Sequence, residues 1–413
     1  MAWAALVVQM SGTASSTPPK FVYCTLGTGH HPEHYWIHAH YDSTQQAAPT
    51  LAWRQLPQGP WQLAPTQWRK LKFYHQQRSL IEVQLPLQAG SHRYQLELRQ
   101  PGQKPYAFRL RSLPSQGQVL KFTDGGDTGI GPEVETMFRQ AARLNPDFCI
   151  MGGDYAYEGG DPRLWPRFDR WLELWTRYMK RSDGSLIPQL PVLGNHEVVG
   201  HFDARPDGAP FWVHYFNRGR TQSYDFRLLP NGLGIWNLDS GHLQAVGGPQ
   251  KDWLESTLQA NSKLEFKLAA YHVPLYPSHR NFEERRSRVL REQWLPLFDR
   301  FGLELALEHH DHAHKRTRLL RGGRENPQGT LYLGDGCWGQ QPRSVDRSRA
   351  YLARADSRRH FWLLVSQPGR LKASAIDAHG RIFDEVEVRP VTQARGGAIS
   401  SQQQPSSAQS GSR

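Results

Sequence analysis

The stretch "EHHDHAHKRT", residues 308–317, carries histidines at 309, 310, 312 and 314, directly after the apolar run "LAL". Four earlier stretches have the same plan, an apolar run that ends in polar donors. "FTDGGDTG" offers Asp124 or Asp127, and "GGDYAY" offers Asp154 and Tyr157. "GNHE" offers Asn195 and His196, and "LAAYHVP" offers His272. Carboxylate, amide, phenol and imidazole together form an oxygen–nitrogen donor set suited to Fe, Mn or Zn. Cys24, Cys149 and Cys337 are the only thiols, with no zinc-knuckle spacing and too few for a disulfide scaffold. The glycines next to the acids let the backbone come close to a bound ion.

These donors need elements that aim them at one place. After residue 119 the pattern is strand, helix, strand: "VLKF", then "PEVETMFRQAARL", then "DFCIM". In the helical segment Val134, Met137, Phe138, Ala141 and Leu144 fall on one face, with Pro132 near the start. "LWPRFDRWLELWTRYM" is a second helix and "QLPVL" a third strand. Alternating strands and helices predict an α/β domain with parallel strands, whose functional residues sit beyond the carboxyl ends of the strands. Residues 21–113 read differently. Short period-2 segments such as "YWIHAHYD", "LIEVQLPL" and "YQLELRQ" predict an antiparallel β-sandwich of immunoglobulin or fibronectin type. "SLPSQGQ" (112–118) reads as the linker.

The ordered set D-x-G, G-D, G-N-H-E, an isolated H and H-x-H resembles the calcineurin-like metallophosphoesterases, and most closely the purple acid phosphatase branch. That branch places a Tyr three residues after the second Asp, as in "GDYAY", and has an N-terminal fibronectin-like domain. The resemblance spans about residues 20–388. It implies a metallophosphoesterase-type α/β/β/α sandwich and two metal ions. One is held by Asp127, Asp154, Tyr157 and His312, the other by Asp154, Asn195, His272 and His310. His310 and His312, two apart, reach the metals from one loop. Tyr157 implies Fe(III) at the first position, with Fe, Zn or Mn(II) at the second. It further implies hydrolysis of a small-molecule phosphate monoester by a bridging hydroxide, with His196 as general acid. His279 and Arg280 are candidate substrate-binding residues, together with Asn195. Phosphodiester or nuclease chemistry on the same site, and a non-catalytic binding scaffold, are the rival readings.

Two positions depart from that pattern. Asp124 and Asp127 both satisfy D-x-G, and the strand length favours Asp127. His309 stands where the branch has Gly, which predicts an imidazole behind or beside the metal loop, and His314 reads as a bystander. Arg316 is expected in a structural ion pair, "NLDSGH" (Asp239, His242) as a turn, and "EERRSRVLRE" (283–292) as a solvated helix face.

The remaining sequence sets bounds. The chain has 413 residues, 38% of them apolar, and no apolar run long enough to span a bilayer. Its net charge of +12 suits an anionic partner, although no specific nucleic-acid motif is present. Residues 1–20 read as a leader or atypical signal segment, which leans towards a secreted or periplasmic setting. The Gln/Ser-rich residues 389–413 read as a disordered tail. The expected organisation is therefore 1–20, 21–113, 114–388 and 389–413.

Overall fold

The computed structural model describes residues 17–31, 33–42, 48–334 and 336–390. The expected leader and tail lie outside these residues, apart from 17–20 and 389–390. The N-terminal strands are β1 (Phe21–Leu26), β2 (His34–Asp42), β3 (Thr50–Gln55), β4 (Gln62–Ala64), β5 (Gln67–Phe73), β6 (Gln76–Pro86), β7 (Arg93–Arg99) and β8 (Tyr106–Arg111). There follow β9 (Leu120–Gly125), α1 (Pro132–Arg143), β10 (Phe148–Met151), α2 (Trp165–Tyr178), β11 (Ser185–Leu186), β12 (Gln189–Pro191) and α3 (Pro210–Tyr215). The second half holds β13 (Asp225–Leu229), β14 (Leu233–Asn237), α4 (Pro249–Ala260), β15 (Phe266–Ala270), α5 (Arg285–Phe301), β16 (Leu305–Glu308) and β17 (His314–Thr317). A small hairpin, β18 (Leu320–Arg321) and β19 (Arg324–Glu325), precedes β20 (Leu331–Gly334), β21 (Leu352–Asp356), β22 (His360–Gln367), β23 (Arg370–Asp377) and β24 (Ile382–Val388).

Two sheets face each other. In one, β9, β10 and β12 are parallel neighbours; in the other, β14, β15, β16 and β20 are. Alternation along β10 shows how the layers form: Phe148 and Ile150 point into the inter-sheet core, whereas Cys149 and Met151 meet the helices. Met137 and Phe138 of α1 and Trp171 and Trp175 of α2 cover that outer face. Leu254 and Leu258 of α4 and Trp294 and Phe298 of α5 cover the other sheet. The layer order is α/β/β/α, as the family resemblance implies.

Helix starts follow local chemistry. Pro132 opens α1, and the Glu284 carboxylate caps α5 by accepting from the N–H groups of Arg286 and Ser287. α5 exposes much of its charged first half but buries Leu290, Trp294, Leu297 and Phe298.

The N-terminal strands form two sheets packed through Ile37, Ile81 and Val83 on one side and Leu51, Leu96 and Leu110 on the other. This is a β-sandwich arrangement, but one of its sheets does not end at the linker. β1 pairs in parallel with β12 at Thr25 and Gln189, so β1, β2, β6 and β5 extend the first large sheet to ten strands. All six β1 residues are buried, and an uncovered edge there would present unpaired N–H and C=O groups. The Arg78–Asp169 ion pair adds a second tie, between β6 and α2.

Candidate metal centre

Each donor follows the carboxyl end of a strand: Asp127 after β9, Asp154 and Tyr157 after β10, Asn195 after β12, His272 after β15, and His310 and His312 after β16. Five of these seven have left-handed backbone: Asp127 (φ 55°), Asp154 (57°), Tyr157 (57°), His310 (72°) and His312 (52°). Such conformations are uncommon for non-glycine residues and cluster where surrounding structure holds side chains for a purpose. The turn after β10 depends on Gly153, at φ 91°, where a Cβ would lie 2.6 Å from the Gly194 backbone and 2.8 Å from His272 Nδ1.

The donor atoms interlock. His272 Nε2 lies 3.3 Å from Asp154 Oδ2, 3.0 Å from Asn195 Oδ1 and 3.0 Å from His310 Nδ1. His312 Nε2 lies 2.9 Å from Asp127 Oδ1 and 3.2 Å from the Tyr157 hydroxyl, which is 3.3 Å from the same Asp127 oxygen. With metal–ligand bonds of about 2.1 Å, adjacent ligands sit about 3.0 Å apart at octahedral angles and about 3.4 Å at tetrahedral ones. Both groups of contacts fall near this range: one joins Asp154, Asn195, His272 and His310, the other Asp127, Tyr157 and His312. Asp127, Asp154, His272 and His310 form one cluster of potential ligand atoms, all within 4.8 Å of one another. The chemistry of the donor set therefore fits cations.

Electrostatics point the same way. Burial would raise the Asp154 carboxyl, but His272, with His196 and His310, overrides this and holds it well below the usual range. Burial, followed by the charges of Asp127 and Asp154, pushes the Tyr157 phenol well up, so a phenolate there requires a nearby cation. Burial also lowers His310, and His272 adds to the effect. His196 is placed differently. Its side chain is 34% exposed, against 1% for Asp154 and 0% for His272, so it is the group facing open space. Its Nε2 stands 4.0 Å from Asp154 Oδ2, and its backbone N–H donates to Asp154 Oδ1 at 2.8 Å.

Asp124 remains in β9, with its Oδ1 3.2 Å from His309 Nε2. His309 is buried, its Nδ1 2.8 Å from the Tyr271 carbonyl, and its ring occupies the space over Gly152. His314 is buried in β17, with Nε2 3.2 Å from Asp384 Oδ2. Arg316 pairs with both Asp384 oxygens, at 2.9 and 3.0 Å. Asp239 accepts from the N–H groups of Gly241, His242, Leu243 and Gln244, which makes "NLDSGH" a turn. The Arg280 guanidinium bonds Asp311 at 3.1 Å and the His310 carbonyl, so it stands on the ligand loop. The His279 ring turns towards the Ser344 carbonyl, 2.8 Å from its Nδ1.

Sequence reasoning missed two carboxylates. Glu197 accepts from the N–H groups of Gly194, Asp154 and Tyr155 at 2.9, 2.8 and 2.7 Å, tying the β10 and β12 loops together. Asp311 accepts from Ser278 and His279 at 2.5 and 2.9 Å and so ties the His272 segment to the histidine loop. The available signal was an acid embedded in a segment bound to be buried, which requires partners.

Comparison with known proteins places a phosphoesterase domain around this cluster. Residues 126–314 match the calcineurin-like phosphoesterase family model, and the chain carries such a domain. The match begins beyond Asp124 and includes Asp127. An uncharacterized protein of Mycobacterium tuberculosis is 23% identical over 264 residues, 54% of this chain and 47% of that one. Purple acid phosphatase 18 of Arabidopsis thaliana is 23% identical over 266 residues, 61% of this chain and 56% of that one. The chain thus spans about half the length of the curated relatives it matches. Among solved structures, GAP50, "the anchor in the inner membrane complex of Plasmodium", gives a TM-score of 0.49 at 14% identity, covering 66% of this chain and 89% of that one. Among the described residues no helix is long and apolar enough to cross a membrane.

Proposed function

We propose that the chain is a dinuclear-metal phosphohydrolase acting on small-molecule phosphate monoesters. The observation that carries this is the pair of interlocked donor groups at coordination spacing, with Asp154 common to both proposed ligand sets. Asp127, Tyr157 and His312 would complete one set, suited to Fe(III), and Asn195, His272 and His310 the other, suited to Fe, Zn or Mn(II). Bound cations at such a site lower the pKa of a water and hold phosphoryl oxygens for in-line attack.

The chain's own residues do the rest. The Gly152 carbonyl receives His272 Nδ1 at 2.8 Å and so aims Nε2 at the cluster. Glu197 braces the Asp154 turn from behind. His196, at the open side, gives its proton to the leaving oxygen. Arg280, hydrogen-bonded to the His310 loop, supplies positive charge to the ester, and His279 supplies a hydrogen bond once it turns from Ser344. Residues 21–113 serve as a fibronectin-like sandwich and 114–388 as the catalytic part, in a secreted or periplasmic protein.

The test pairs metal analysis and a visible spectrum with turnover of an aryl phosphate monoester and its diester. The expected result is two metals, a tyrosinate-to-iron absorption under oxidising conditions, and faster monoester turnover. Faster diester turnover would replace the substrate class. Two metals with neither ester turned over would favour a binding scaffold.

A further inference from the structure

A second group of metal-ligating side chains lies in the loop between β1 and β2, formed by His31, Glu33 and His34. His31 Nδ1 is 3.2 Å and His34 Nε2 is 3.7 Å from the same Glu33 oxygen, Oε1. The three ligand atoms all lie within 4.8 Å of one another, and the two imidazoles stack at 4.8 Å between centroids. A tetrahedral ion with bonds of about 2.1 Å has ligand–ligand edges of about 3.4 Å, between the two observed contacts. The other nitrogen of His34, Nδ1, is 3.0 Å from Gln84 Nε2 in β6; with that amide turned, its oxygen accepts the Nδ1–H and holds the ring from behind, leaving Nε2 free for a cation.

We propose that His31, Glu33 and His34 bind one borderline divalent cation of the Zn(II) class, with solvent in the fourth position. Two imidazoles and a carboxylate match that preference, and the absence of thiolates disfavours softer ions. His31 is 61% exposed, so an ion reaches the site without local opening. The location assigns it a task. In the same loop, Gly29 N–H donates to the Phe226 carbonyl at 2.6 Å, and its own carbonyl accepts from Leu228 at 2.9 Å. The His30 ring packs on Phe226 at 5.2 Å. The loop therefore joins the ten-stranded sheet, through β1 and β2, to β13 at the edge of the seven-stranded sheet. An ion there would stiffen the loop whose Gly29 and His30 hold β13. This site is independent of the reading of the main centre and stands even if that centre hydrolyses nothing.

The experiment uses the full chain, its main centre loaded first and excess metal removed. Zn(II) is then titrated by calorimetry and by thermal unfolding. Wild type should take up one more equivalent than His31→Ala/His34→Ala, and its Tm should rise saturably with Zn(II) while the variant's does not. Glu33→Gln, which keeps the ring stack, should weaken uptake at least tenfold with an unchanged Zn-free Tm. Equal uptake and equal Tm response in all three proteins would overturn the proposal. So would a Zn(II)-dependent rise in Tm retained in the double variant.

Discussion

Gly152 and His309 form a pair whose coupling can be measured. An added Cβ at Gly152 would lie 2.1 Å from both Cδ2 and Nε2 of His309 and 2.4 Å from Cε1, and the ring itself is fully buried. Gly152→Ala must therefore displace the ring. Overpacking of this kind costs about 1–3 kcal/mol. Displacement also separates the ring from Asp124, and a buried charge that loses its partner adds a cost of up to about 3–5 kcal/mol. His309→Ala alone incurs that second cost without the first. In the double variant the colliding ring is gone and the lost pair is counted once, so the shortfall should equal the whole cost of Gly152→Ala, from about 1–3 kcal/mol for overpacking alone up to about 4–8 kcal/mol if the pair is fully lost. Because Gly152 also presents its carbonyl to His272 Nδ1, Gly152→Ala should weaken metal binding about 10- to 100-fold, and His309→Ala should partly restore it. Denaturant midpoints and metal dissociation constants for the four proteins give the cycle. Strict additivity, or no rescue of metal binding, would refute the packing argument.

Other consequences follow from the same geometry. Asp169→Ala should leave Arg78 buried and unpaired between β6 and α2 and destabilise by about 3–5 kcal/mol, seen as an earlier denaturant midpoint. Burial would raise the Asp384 carboxyl, but its bonds to His314 and Arg316 outweigh this and hold it below its ordinary value. Its contribution is therefore full above pH about 4 and lost as pH falls further, so Asp384→Asn should flatten the acid limb of a Tm-against-pH curve. Tyr157→Phe should abolish any tyrosinate absorption while leaving the Asp154–His272–His310 group able to hold an ion. Treatment with a chelator should reduce turnover by more than tenfold and lower Tm, and both should return on adding metal.

The order of the donors, and the strands that present them, could be read from the sequence because each lies next to its own strand and every apolar run names its layer. What lay beyond reading depended on contacts distant in the chain. The β1–β12 pairing joins residues 25 and 189, and no local pattern at either end announces it. The task of His309 follows from the empty space over Gly152, two residues before Asp154 and far earlier in the chain. Asp124 and Asp127 looked alike in "DGGDTG", yet the first continues the strand and the second takes the left-handed turn that carries it to the cluster. Glu197 was visible in "GNHE" but had no role until the backbone N–H groups of the neighbouring loop came within reach.

Asp154→Asn is the most direct test of the dinuclear centre, since the account has this one carboxylate serve both ions. Metal content and aryl phosphate turnover should be measured on the same preparation. Fewer than two ions per chain are expected, with a loss of kcat/KM of at least about a thousandfold, roughly 4 kcal/mol of transition-state stabilisation. Two ions retained with turnover within a few-fold of wild type would contradict the dinuclear centre.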